Sequence, residues 1–304
     1  MNKNTKPTLV ITGSSGFVGQ KLVAAAVKSD YKVIGIDIEK VETLECEQFK
    51  IDLANEDFYN LVPKNSVIIH LASLSDDTSC KKNPLGAIEA NLKATARVVE
   101  NANRLNSLQL IFASSEWVYP EKSEYCEQFE TDSLDLANLN SLYAISKLTG
   151  ESLIRCTSKI PFSILRFGII YAPRKLPGSS AENIALKVFS HQEINVKSIQ
   201  TSRRFIYIDD LIEGILRVAE VGSSLATPGP INLAGPELIS FQSIINLISE
   251  RLKINPILID QGQKPSIRNP QISKAKELLN WEPKTEFTAG IFKCIQSMTR
   301  HIET

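Results

Sequence analysis

Apolar positions in the first half of the chain alternate between two patterns. Short runs at Thr8–Thr12, Tyr31–Ile36, Gln48–Ile51, Val67–His70, Leu108–Ala113 and Phe162–Phe167 read as strands. The most continuous of them fit strands buried on both faces of a parallel sheet. Between them Phe17, Val18, Leu22, Val23, Ala26 and Val27 recur at helical spacing, and further helical patterns cover about 83–105 and 139–158. Such alternation predicts right-handed βαβ crossovers and a doubly wound parallel sheet, with ligands beyond the carboxyl ends of the strands. From about Tyr171 the texture changes: Ala172-Pro173-Arg174-Lys175-Leu176-Pro177-Gly178-Ser179-Ser180 is loop-like and later segments are shorter. The expected organisation is a main domain over 1–170, a return of the chain to it at about 203–235, and a smaller C-terminal substrate-binding region over 171–304.

The first run leads directly into Thr12-Gly13-Ser14-Ser15-Gly16-Phe17-Val18-Gly19, a glycine loop joining a strand to the N-terminus of a helix. Glycines let the backbone turn tightly and bring its N–H groups close to a pyrophosphate, and the helix dipole favours the negative charge. The second run ends at Asp37, 18 residues beyond Gly19. A carboxylate there can accept hydrogen bonds from an adenine-ribose diol and would repel a 2′-phosphate. Ile38, Glu39 and Lys40 follow with no arginine, so NAD is expected rather than NADP. The pattern is G-x-x-G-x-x-G, and a glycine turn serving only helix–strand packing is the competing reading. The expected architecture is a Rossmann-type sheet with Gly13, Ser15, Gly16, Phe17, Val18, Gly19, Asp37 and Ile38 at the cofactor.

Composition narrows the class of partner. The 304 residues carry a formal net charge of zero, 43% hydrophobic and 22% charged, which argues against broad attraction to nucleic acid or an anionic membrane. Five scattered cysteines without C-x-x-C spacing, and three unclustered histidines, argue against a metal site or a disulfide framework. No apolar run approaches the ~20 residues of a membrane span. Met1–Pro7 does not read as a signal peptide, and a cytoplasmic location is expected.

The segment Tyr143-Ala144-Ile145-Ser146-Lys147 places a phenol and an ammonium four apart, on one face of a helix. A free tyrosine titrates near 10. One ammonium about 4 Å away at an effective dielectric near 20 contributes roughly 4 kcal/mol, enough to bring the phenol toward neutrality as a general base. The strand ending Leu110-Ile111-Phe112-Ala113 runs into Ser114-Ser115-Glu116, and Ser115 is the candidate to hydrogen-bond the reacting oxygen. Taken alone, these serines read equally well as turn or cap residues.

With these motifs in order, the chain resembles the extended short-chain dehydrogenases/reductases of the nucleotide-sugar epimerase/dehydratase group, relatives of UDP-glucose 4-epimerase. The resemblance also rests on Asp52-Leu53, His70-Leu71-Ala72, Asn91-Leu92-Lys93-Ala94-Thr95, Leu165-Arg166-Phe167-Gly168, the segment Arg203 to Asp210 and the segment Ile272 to Pro283. It implies Ser115, Tyr143 and Lys147 as a catalytic triad. Asp52 and Leu53 would flank the adenine, while Leu71, Ala72 and Ser73 would lie along the ribose and nicotinamide. Arg203 and Arg268 would pair the diphosphate of a nucleotide sugar, with Glu116 a base or a sugar ligand. By the same resemblance the helices near 83–105 and 139–158 would pair in a homodimer.

Departures from the family pattern fall on the substrate side. Ile169 stands where relatives carry an asparagine, Tyr171-Ala172-Pro173 replaces tyrosine-glycine-proline, and Lys197 to Ser202 replaces a glycine-aspartate-glycine turn. Trp117 fills the position at which dehydratases place a second acid, leaving Glu116 without that partner. The implied activity is NAD-dependent epimerisation at C4 of a nucleotide-activated hexose through a transient 4-keto sugar. A dehydrogenase, reductase or decarboxylase acting on a related nucleotide sugar shares the first half-reaction. A catalytically silent NAD-binding regulator is the reading from another class.

Overall fold

The structure is a computed structural model and describes residues 6–222 and 229–299. A seven-stranded sheet takes in Leu9–Thr12 (β1), Val33–Asp37 (β2), Glu47–Lys50 (β3), Val67–His70 (β4), Gln109–Ser115 (β5) and Phe162–Phe167 (β6), with Ile231–Leu233 at its edge. The strand order is Ile231–Leu233, β6, β5, β4, β1, β2, β3. β1 pairs in parallel with both β2 and β4, β2 with β3, and β4 with β5. This is the doubly wound Rossmann-type architecture, and the order reverses beside β1, where such sheets take their ligands. The four apolar runs β1, β4 and the bulk of β2 and β5 are buried because helices cover both faces.

Helical periodicity over 83–105 resolves into more than one element. Asp77–Lys82 and Pro84–Ile88 are short helices, Glu89–Lys93 is a π-helical turn, and Ala94–Leu105 is the long helix. Asn83 explains the restart: its side chain accepts a hydrogen bond from Gly86 N, with Pro84 next to it in the first helical turn. The helix over 139–158 runs from Leu142 to Thr157 and is capped by Ser141, whose Oγ accepts from Ala144 N at 3.1 Å.

Backbone proximity divides the chain into two units. One comprises the described residues up to Val118, Ser133–Arg166 and Ile212–Ile231; the other Tyr119–Asp132, Phe167–Leu211 and the described residues from Asn232 onward. The core of the first is built on Val10, Ile34, Ile36, Ile68, Leu110 and Phe112 from the sheet, with Val98, Ala102 and Ile154 from helices. The second has its own core of Tyr171, Ala185, Val188, Phe205, Ile244, Ile248, Phe287 and Ile291. Its short parallel pair joins Ile169–Tyr171 to Phe205–Tyr207, so Ile169 is a strand residue. The segment before Arg203 turns on serines: Ser198 Oγ accepts from Gln200 N at 3.3 Å and Ser202 Oγ donates to Gln200 O at 2.8 Å. Two side-chain contacts there stand in for the backbone freedom that a glycine-rich turn would use.

Two glycines are dictated by close approach. Gly13 has φ +74°, and a Cβ on it would meet Ala72 N at 2.6 Å; a Cβ on Gly19 would overlap the carbonyl oxygen of Gly13. The loop is therefore wedged between the end of β4 and the helix Phe17–Lys28. Gly19→Ala is expected to cost about 1–3 kcal/mol through overpacking, measured as a lower midpoint in urea unfolding.

Candidate active site

The glycine loop and Asp37 meet as the sequence spacing implies. Ser15 N donates to Asp37 Oδ2 at 2.9 Å, Ser15 Oγ donates to Glu39 O at 2.6 Å, and Gly13 N donates to Ile36 O at 2.8 Å. These bonds tie the loop to the tip of β2. The helix behind the loop begins at Phe17, with Val18 and Gly19 in its first turn, and its N-cap Gly16 supplies no side-chain cap. Leu71, Ala72 and Ser73 follow β4 and are partly buried, with Leu71 N donating to Thr12 O at 3.1 Å. Leu53 is buried, Ile38 is exposed, and Asp52 folds its carboxylate back onto Ala54 N and Asn55 Nδ2. A backbone cradle that excludes Cβ atoms, a helix N-terminus and a carboxylate one strand away fit a dinucleotide.

The Tyr143–Lys147 pair sits in the first two turns of the helix Leu142–Thr157, and Ser115 ends β5. Ser141 fixes where that helix starts, and its Oγ also donates to Asp77 Oδ1 at 2.7 Å. Lys147 is 3% exposed; its Nζ donates to Ala113 O at 2.8 Å and lies 5.1 Å from the Phe112 ring centre. Ser115 is buried two residues beyond Ala113 on the same strand, and Ser115 Oγ accepts from Trp117 N at 3.2 Å. The Trp117 ring meets the Tyr143 ring edge-on, 6.2 Å between centres at 76°. Glu116 is fully buried.

Electrostatically the pair behaves differently from the sequence expectation. Burial pushes the Tyr143 phenol up to about 12, against a hydrogen bond from Ser115 that lowers it, and the nearby Cys80 thiol adds to the rise. Burial likewise pulls the Lys147 ammonium down to about 8, with Cys80 opposing. Lys147 Nζ is 5.8 Å from the Tyr143 ring centre and directs a hydrogen bond to the Ala113 carbonyl. Desolvation, absent from a pairwise sequence argument, outweighs the expected lowering. The protein's own groups thus hold Tyr143 as a neutral phenol beside Ser115.

Several supporting residues were given no site role by the sequence. Glu151, one turn beyond Lys147 and fully buried, accepts from Ser114 Oγ at 2.6 Å, from Arg166 Nε at 2.9 Å and Nη2 at 2.8 Å, and from Arg155 Nη2 at 3.2 Å. Its carboxylate pins the helix Leu142–Thr157 to the ends of β5 and β6. Asn91, in the π-helical turn, donates to Ser146 Oγ at 2.9 Å and to Leu74 O at 3.0 Å, while Ser146 Oγ donates to Tyr143 O at 2.8 Å. The i, i+4, i+8 spacing of Tyr143, Lys147 and Glu151 is the one pattern that could have flagged Glu151.

Arg203 and Arg268 lie in the second unit and come together there, both buried. Arg203 Nη1 donates to Ser266 O at 2.6 Å and Ser202 O at 2.8 Å, its Nη2 donates to Ser266 Oγ at 2.7 Å, and Arg268 Nε donates to Tyr119 O at 3.1 Å. Between the two guanidinium groups stands Glu121, a residue the sequence reading did not select. Its Oε1 is 3.5 Å from Arg203 Nη2 and 3.1 Å from Arg268 Nη2.

In sequence and fold the chain is similar to known proteins. The sequence model of the NAD dependent epimerase/dehydratase family matches residues 9–234. A Bacillus subtilis (strain 168) protein bearing the name uncharacterized UDP-glucose epimerase YtcB is 30% identical over 308 residues, covering 93% of this chain and 95% of its own length. UDP-glucuronic acid decarboxylase 2 of Arabidopsis thaliana is 27% identical over 303 residues, covering 93% of this chain and 66% of that protein. Among solved structures, a mutant UDP-glucuronic acid 4-epimerase from Bacillus cereus, in complex with UDP-4-deoxy-4-fluoro-glucuronic acid and NAD, superposes with a TM-score of 0.83 at 25% identity. That match covers 97% of this chain and 99% of the other.

Two outcomes follow from the buried charges. Lys147 titrates at about 8 in the fold against 10.5 ordinarily, so the unfolded chain binds more protons between those values and stability rises with pH across that window. Thermal melts from pH 8 to 10 should show this rise in the wild type and lose it in Lys147→Met. Glu151→Ala would leave Arg166 buried without its carboxylate, and urea unfolding should show a loss of about 3–5 kcal/mol.

Proposed function

The chain belongs to the NAD-dependent epimerase/dehydratase family, and we propose that within it this enzyme epimerises C4 of a nucleotide-activated hexose through a transient 4-keto sugar. The observation that carries the reading is the grouping at the end of β5 of Ser115 and Lys147, both buried, with the partly buried Tyr143, in the same unit as the glycine cradle and Asp37. When bound, NAD supplies a reversible hydride acceptor. Asp37 and the loop backbone hold the adenosine and pyrophosphate. Tyr143 Oη takes the proton of the C4 hydroxyl and later returns one to the opposite configuration. Ser115 Oγ keeps the C4 oxygen hydrogen-bonded in both its alcohol and carbonyl forms. Lys147, anchored on Ala113 O, holds positive charge behind the tyrosine and a donor for the nicotinamide ribose. A positive charge on the bound cofactor would oppose the desolvation that holds the phenol neutral and ease loss of its proton.

The substrate part of the reading rests on the second unit. Two neighbouring buried guanidiniums suit a diphosphate, which offers several acceptor oxygens to their forked donors. The names of the relatives support a UDP-sugar as the ligand. A second reading, decarboxylation of a nucleotide-activated uronic acid, shares the oxidation at C4 and is favoured by the UDP-glucuronic acid decarboxylase similarity. The resemblance also carries a cytoplasmic homodimer into the proposal.

Products from a panel of UDP-, GDP-, CDP- and dTDP-sugars, followed by mass spectrometry and chromatography with and without added NAD, discriminate these outcomes. An isomer of unchanged mass without net NADH supports epimerisation; loss of carbon dioxide supports the second reading; steady NADH release identifies a dehydrogenase. Tyr143→Phe should lower kcat by at least about 100-fold, as expected on removal of a positioned acid–base group. Turnover near the wild-type rate would overturn the assigned role.

A further inference from the structure

The arginine pair in the second unit is assembled from three distant stretches of chain. Ile267 bridges antiparallel to Lys122 and parallel to Ser202, closed by Ile267 N to Lys122 O at 2.8 Å and Arg268 N to Ser202 O at 3.2 Å. The guanidiniums are oriented by neutral acceptors: the carbonyls of Ser202, Ser266 and Tyr119, and the hydroxyl of Ser266. The side chains of Arg203 and Arg268 are only 10% and 6% exposed, whereas that of Glu121 is 52% exposed. Two fixed, desolvated cations therefore share one oxygen of a carboxylate that reaches in from solvent.

We propose that Glu121 is an affinity-setting counter-ion of this site, a carboxylate that occupies the arginine pair and must swing aside when a diphosphate enters. This rests on the diphosphate reading of Arg203 and Arg268 given above. Geometry favours exchange over permanence. Glu121 Oε1 serves both guanidiniums at 3.1 and 3.5 Å, so a single carboxylate oxygen is divided between two cations. A diphosphate brings separate oxygens for each fork and a second negative charge. Being half exposed, the displaced carboxylate regains water at little cost, and the contact it surrenders is worth only what a solvent-screened pair is worth. The arginines, held by backbone carbonyls, keep their orientation throughout. Glu121 thus lowers the apparent affinity of every anion that takes the pair by one common factor, and a diphosphate has enough contacts to bind in spite of it.

Calorimetric titration of the full-length protein with UDP tests this. Glu121→Gln keeps the shape and removes the charge, and Glu121→Ala removes the group. Both should bind UDP about two- to fivefold more tightly than wild type, the equivalent of a screened ion pair of up to ~1 kcal/mol. Inorganic phosphate should gain by a similar factor, since any anion that takes the pair must displace the same carboxylate. Unchanged or weaker UDP binding by both variants overturns the proposal and makes Glu121 structural or a direct ligand. Arg203→Ala and Arg268→Ala provide the separate control. If they weaken UDP binding while the Glu121 variants leave it unchanged, the counter-ion role fails and the diphosphate reading stands. Unchanged UDP binding in the arginine variants sinks the diphosphate reading itself.

Discussion

A single buried carboxylate connects the pieces that the chemistry needs. Glu151 is withdrawn from water and receives donors from Ser114 at the end of β5, from Arg166 on β6 and from Arg155 on its own helix. Leaving either the Glu151 carboxylate or the Arg166 guanidinium unpaired would carry a large desolvation cost, so the three elements are coupled in register. Ser115 is the residue after Ser114, and Tyr143 and Lys147 lie two turns and one turn before Glu151. The positions of Ser115, Tyr143 and Lys147 are therefore a consequence of where one ion pair can be satisfied. Lys147 adds a second tether by donating to Ala113 O, on the same strand end.

The low dielectric that makes this framework rigid also sets the protonation states. Tyr143 is pushed up and Lys147 pulled down by the same burial. His70 shows the effect without any catalytic demand: buried between Thr12 Oγ1 and Thr95 Oγ1, it is held down to about 3 and stays a neutral hydrogen-bonding bridge. Burial keeps the phenol neutral even with Lys147 on the same helix face. The second unit uses charge differently. Arg203 and Arg268 are kept buried and oriented by neutral carbonyls, with a solvent-facing carboxylate between them.

Local patterns in the sequence determined a good deal. Apolar runs located β1, β2, β4 and β5 to within a residue or two, because burial on both faces forces a nearly continuous apolar string. The glycine loop and Asp37 were legible because a tight strand–turn–helix junction fixes residue type over a short span. Tyr143 and Lys147 could be paired from helical spacing alone. These are all constraints acting within about twenty residues, and Asp37 reaching Ser15 is the longest of them.

What the tertiary structure alone decided involves groups far apart in the chain or fields summed over many atoms. Glu121 meets Arg203 and Arg268 because the segments around 120, 202 and 267 are laced together by backbone bonds, and nothing in the spacing announces it. The break in the long helical pattern at Asn83, and the π-helical turn that brings Asn91 to Ser146, depend on capping and packing that periodicity does not encode. The sign of the Tyr143 shift belongs to the same class. A sequence supplies the ammonium and its spacing, but desolvation is set by everything packed around the pair, and here it is the larger effect.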